Sequence, residues 1–170
     1  MATNRMAWVR VTLVLLMALL ISCAAESGSS QYIAPPMETI DRQDIAVQIG
    51  SEKSSYSKSY MVDAIEVVGK CDAVLNSPKY LIFSAASEAN TAYSKLRIRY
   101  SEFEDSALDG FLAKTVTKVG RLSDNVKYVD EQNAKHRTER DYDGMKHKLD
   151  EIGNLMKEIR ALIEGINSAI

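Results

Sequence analysis

The sequence predicts an all-α fold, an up-down-up-down antiparallel four-helix bundle that follows a signal peptide and a flexible tether. Three observations carry that prediction. Residues 145–170 hold an unbroken apolar seam, in which Met145, Ile152, Ile159 and Ile166 alternate with Leu149, Met156, Ile163 and Ile170 in steps of four and three. Comparable seams run through three earlier segments. Short breaks rich in Ser, Pro and Asp separate them, leaving room for little more than a reversal of direction.

The first 36 residues stand apart. Arg5 and Arg10 form a basic start, and residues 11–21 are apolar apart from Thr12, which is short for a membrane span but right for a secretory signal over residues 1–22. Leu20-Ile21-Ser22-Cys23 resembles the lipobox of bacterial lipoproteins. The resemblance implies diacylglycerol on the Cys23 thiol, cleavage before Cys23 and an anchor made of acyl chains. Ala24, in place of an Asp, then favours the outer membrane or cell surface of the bacterial envelope. The alternative is a freely secreted protein, cut after Ala24 or Ala25. Residues 23–36 are Ser/Gly-rich, end in Pro35-Pro36 and read as a tether. Residues 37–50 fit either a short helix or a strap lying on the bundle.

The bundle itself is expected over residues 51–170. Its first helix is read as residues 51–76, with Tyr60, Ala64, Val67, Cys71 and Val74 on the seam, so Cys71 is a small core residue. At Ser77-Pro78 serine is expected to cap the next helix and proline to occupy its first turn. Along that helix Ile82, Ala86, Ala89, Tyr93, Leu96, Tyr100 and Phe103 repeat the seam, from small residues to aromatics. Ser106-x-x-Asp109 is a capping box with Asp in place of Glu, opening a third helix whose seam ends at Val129. Thr138-x-x-Asp141 offers the same cap for the last. There Leu155 and Leu162 widen the apolar face to about three positions in seven, as a bundle helix requires. On this register Glu158, one step from Ile159, faces outward. Gly69, Gly120, Gly153 and Gly165 lie inside helices, each costing up to about 1 kcal/mol against Ala where exposed.

Composition narrows the chemistry. Removing the signal takes two of the 21 basic side chains and none of the 23 acidic ones, leaving a mildly acidic protein that does not suit nucleic acid. With Cys23 lipidated or removed, Cys71 stands alone and no disulfide framework is expected. His136 and His147 lack the Glu-x-x-His spacing of di-metal bundles, so no metal or cofactor is expected. There is no Gly-x-Ser-x-Gly, no glycine-rich phosphate loop and no catalytic carboxylate pair on the predicted core, so no catalytic residue is assigned. The expected function is a non-enzymatic helical binding or assembly module, anchored by lipid and engaging a protein partner. One candidate surface is a basic tip at which Lys79, Lys135, His136, Arg137 and Arg140 gather. The opposite, acidic end, with Glu102, Glu104, Asp105 and Asp109, is expected to lie nearest the tether.

Overall fold

The computed structural model describes residues 33–170. The expected signal peptide, Cys23 and most of the expected tether lie outside the described residues. Among those described the fold is all-helical, with five α-helices and no strand: α1 (Arg42–Glu52), α2 (Lys58–Asn76), α3 (Ile82–Arg99), α4 (Ala107–Ala134) and α5 (Tyr142–Ala169). None of them is long and apolar enough to cross a membrane.

The heptad pattern predicts one helix through residues 51–76, whereas the chain breaks at residues 53–57. The cause is serine. Ser51 and Ser55 donate to the carbonyls of Gln48 and Glu52, and Ser57 accepts the Tyr60 N–H as the N-cap of α2. Such local bonds compete with the helix ladder and close it. Asp41 opens α1 by accepting the N–H groups of Gln43 and Asp44. Before it, residues 33–41 form no regular structure and act as a strap.

Two further caps fall elsewhere than expected. Ser77 closes α2, its hydroxyl donating to the Ala73 carbonyl, and a 3₁₀ turn at Lys79–Leu81 leads into α3. Asp141, not Thr138, caps α5 by accepting the Gly144 N–H, because Thr138 is held in the 3₁₀ turn Arg137–Glu139. Ser106 caps α4 through the Asp109 N–H as expected. The preceding N–H groups of α4 are met by Glu52 and Tyr56, so three donors at that helix start are satisfied by side chains.

Ion pairs show how the helices lie together. Lys70 meets Glu88 and Asp63 meets Arg99 between α2 and α3; Lys79, in the turn before α3, meets Asp130 of α4. Between α4 and α5, Lys118 pairs with Glu158 and Arg121 with Glu151, in opposite order along the two helices. The strap and α1 instead follow α5 in the same direction. Pro35 meets Asn154, Glu38 meets Glu158, and Lys53 donates to the carbonyls of Ala169 and Ile170 at the α5 C-terminus, where a cation is favoured.

That parallel companion explains the largest correction to the helix registers. The seams of α2 and α4 hold, with Tyr60, Ala64, Val67, Cys71, Val74, Leu112, Thr115, Val119 and Leu122 all buried. In α5 the buried face is turned. Leu155, Ile159, Leu162, Ile163 and Ile166 fill the core, Leu149 and Met156 lie exposed, and Glu158 is buried at 6% exposure. The strap and α1 cover the side of α5 that a four-helix register leaves in water. Gly165 allows the approach, since a Cβ there would lie 2.8 Å from Ile45 Cδ1 and 3.0 Å from its Cβ.

Residues 34–36 lie beside the middle of α5, so the described chain starts half-way along the fold and not at the Asp105 end. Near that end Tyr56, Tyr60, Tyr100 and Phe103 pack ring on ring, with the centroids of Tyr60 and Phe103 4.5 Å apart. Burial pushes the Tyr60 hydroxyl up to about 12. It does the same to the Cys71 thiol, a free and fully buried cysteine that behaves as core.

Candidate functional site

Two surfaces stand out from the packed core. The first is a groove between α4 and α5, roofed by the strap. Lys114, Lys118 and Arg121 recur in steps of four and three, so α4 presents them as one basic stripe. Glu151, Asn154 and Glu158 recur in steps of three and four on the facing side of α5. Beside the strap lies a cavity of about 450 Å³, lined by Pro35, Glu38, Lys118, Arg121, His147 and Glu151, among others.

The strap is bound in this groove as a peptide. The Asn154 side-chain amide donates to the Pro35 carbonyl at 3.0 Å. The Glu38 main-chain N–H donates to Glu158 Oε1 at 2.6 Å. The Glu38 carboxylate spans Lys114 and Lys118, the latter at 2.8 Å. Lys118, only 8% exposed, also holds Glu158 at 2.8 Å. Glu151 closes the row, accepting from Arg121 at 2.6 Å and Lys148 at 2.9 Å.

Each charge there is set by its neighbours. Hydrogen bonds from Lys114 and Lys118 hold the Glu38 carboxyl below its usual range. For Glu151 burial works upward, but the bonds from Lys148 and Arg121 outweigh it and leave the carboxyl lowered. Burial likewise works against charge on Lys118, yet Glu158 and Glu38 overcome it and raise the ammonium. The groove therefore carries fixed charges of both signs at neutral pH.

The second surface is the expected tip. Lys79 lies in the turn before α3, and Lys135, His136, Arg137 and Arg140 in the connection between α4 and α5. The Lys79–Asp130 pair brings the first of these beside the end of α4. Their charge is not free-standing. Arg140 donates to the carbonyls of Asn133 and Lys135, His136 Nδ1 lies 3.0 Å from the Thr138 hydroxyl, and Lys135 acts on Asp141. Glu131 and Glu139 interleave with them. What sequence reasoning misses here is aromatic: Tyr80 is 81% and Phe83 65% exposed, beside a cavity of about 410 Å³ shared with Val126 and Lys127.

Sequence reasoning misses the groove too, although its signal is present. Lys114, Lys118 and Arg121 on one helix face, opposite a helix with Glu151 and Glu158 a heptad apart, form complementary stripes. His147, which falls off the predicted seam, lines the groove. Among the described residues no group of three or more His, Cys, Asp or Glu is arranged to hold a metal ion. No family model, no curated protein and no solved structure matches this chain.

Proposed function

We propose that this protein is a non-enzymatic helical binding module, anchored to a bacterial envelope through lipid on Cys23 and displaying its helices to a protein partner. One observation supports the binding role above the others: the groove between α4 and α5 holds a peptide segment without regular structure through a carbonyl, an N–H and an acidic side chain. Peptide-recognising surfaces work through that combination of main-chain and side-chain contacts. The tip with Lys79, Lys135, His136, Arg137 and Arg140 offers a second contact area, to which Tyr80 and Phe83 add aromatic anchors of the kind that dominate interfaces. In this reading α2 to α5 form an up-down-up-down bundle. Its support is the reversed order of the ion pairs between α4 and α5 and the short connections throughout.

The anchor is tested directly. Cells expressing the chain are fed a fatty-acid analogue, and Cys23→Ser is compared with wild type. Label on the wild type, with its loss and release of the variant from membranes, is the expected result. Equal labelling of both would remove the lipid anchor. Trp8, the sole tryptophan, lies in the signal, so the mature protein should show tyrosine fluorescence without tryptophan emission.

A further inference from the structure

The strap is held in a way that sets it apart from every other element. Of its larger apolar side chains only Ile40, next to α1, packs against the core, while Ile33 is 81% and Met37 51% exposed. It forms no helix and extends no sheet. Its bonds are polar, and they go to a groove most of whose charges pair without it, Lys114 being held by Glu38 itself. Lys118 and Glu158 pair with each other, and Arg121 and Lys148 pair with Glu151. Glu38 is therefore a third carboxylate added to a row already built. Without it, four cations (Lys114, Lys118, Arg121 and Lys148) face two glutamates, an excess of positive charge with an adjoining cavity of about 450 Å³.

We infer that residues 33–41 are a displaceable lid on a recognition site, and that the ligand of the open site is an acidic peptide segment of a partner protein whose carboxylate takes the place of Glu38 on Lys114 and Lys118. This rests on the binding-module reading above and names its site and ligand class. The present occupant defines what is read. Asn154 takes a peptide carbonyl, Glu158 takes an N–H three residues on, and the two lysines take the carboxylate that follows from the same residue. A free phosphate or a lipid headgroup satisfies only the last of these. Because the lid is part of the chain, it competes at high local concentration, and an outside ligand sees its affinity reduced by the fraction of molecules with the lid open.

The test uses the full chain and a fluorescent synthetic peptide copying residues 33–41, read by anisotropy. Wild type should bind it weakly, and Glu38→Gln, which frees the lysines without altering the groove, at least tenfold more tightly. Adding Lys114→Glu to Glu38→Gln should abolish the gain, as should Gln for Glu within the peptide. Inorganic phosphate at millimolar concentration should not displace the probe. Hydrogen exchange over residues 33–41 and circular dichroism accompany each variant, so that opening and folding are seen separately. Unchanged exchange in Glu38→Gln would overturn the lid. An open lid with no peptide binding would overturn the groove as a recognition site, and with it the binding role that the groove supports. Tighter binding that ignores the probe's carboxylate, or is displaced by phosphate, would overturn the acidic-peptide assignment and leave that role standing.

Discussion

The aromatic end and the strap groove both fasten the N-terminal part of the described chain to the long helices, by opposite means. At the aromatic end Tyr56 and Tyr60 insert among Tyr100, Phe103 and the start of α4, and the Tyr56 hydroxyl helps cap that helix. In the groove charged atoms do most of the holding: Ile33 and Met37 of the strap point to water, and Ile40, beside α1, packs against the core. Packing of the first kind is cooperative and indifferent to salt. Charge pairing near a surface is weak and screened. One chain thus carries a fixed joint and a releasable one on either side of α1.

The widest separation between them comes from Tyr60→Ala. The ring is 1% exposed and touches three other aromatic rings. Its loss should cost about 3–5 kcal/mol, as aromatic truncations in cores do. Urea unfolding should give the same loss at low and at high salt. A cost below about 1 kcal/mol would mean that the aromatic end is not a fixed joint.

A glycine pair gives the next test, of how closely α1 is pressed on α5. A methyl at Gly165 meets the Ile45 side chain, so Gly165→Ala should destabilise by about 1–3 kcal/mol through overpacking, less the gain in helix propensity. A methyl added at Gly153 would have nothing within 4 Å, and Gly153→Ala should stabilise by up to about 1 kcal/mol. Thermal unfolding midpoints moving in the same direction for both would break the proposed seating of α1.

How much of this is legible in the sequence depends on which face a residue serves. Seams lying between long helices can be read, because Cys71, Val119 and Ile159 obey one periodicity and one partner geometry. The strap and α1 are read only as alternatives, a short helix or a strap over residues 37–50, where the chain forms one after the other. Only Ile45 and Ile49 of α1 are buried, too few to set a helical period, and serines mark its end where a heptad reading sees only flanking polar residues. Leaving residues 37–50 without a seat on α5 misplaces Glu158, since a glutamate beside a seam is normally solvated and nothing local announces Lys118 across the groove. Gly165 is a signal of the close approach, although helix propensity alone counts it as a cost. Cys23 and the residues that resemble a lipobox fall outside the described residues, so their reading stays with the sequence.

The smallest effect expected is also the most specific to the releasable joint. Glu38 has a folded-state pKa below its ordinary 4.5, because Lys114 and Lys118 bond its charged form. A carboxyl lowered on folding contributes stability that is fully present above the ordinary value and is lost as pH falls through the folded one. Glu151, lowered by Lys148 and Arg121 against its burial, has the same sign and lies in the same groove. Asp109 at the aromatic end has the opposite sign: burial raises it, so acid relieves a penalty there. Glu52, lowered by Tyr56 and the Ala107 N–H, does weaken on protonation, but the rings around it remain packed. Between pH 6 and pH 3 the strap should therefore loosen first, by less than about 1 kcal/mol since Glu38 is partly exposed. Amide protection, corrected for intrinsic exchange, should fall at the Glu38 N–H below pH 4.5 while the Leu108 N–H keeps its protection. Raised salt at pH 7 should reproduce part of the same loss. If the two amides lose protection together, or the Glu38 amide ignores both acid and salt, the strap is held by something other than charge.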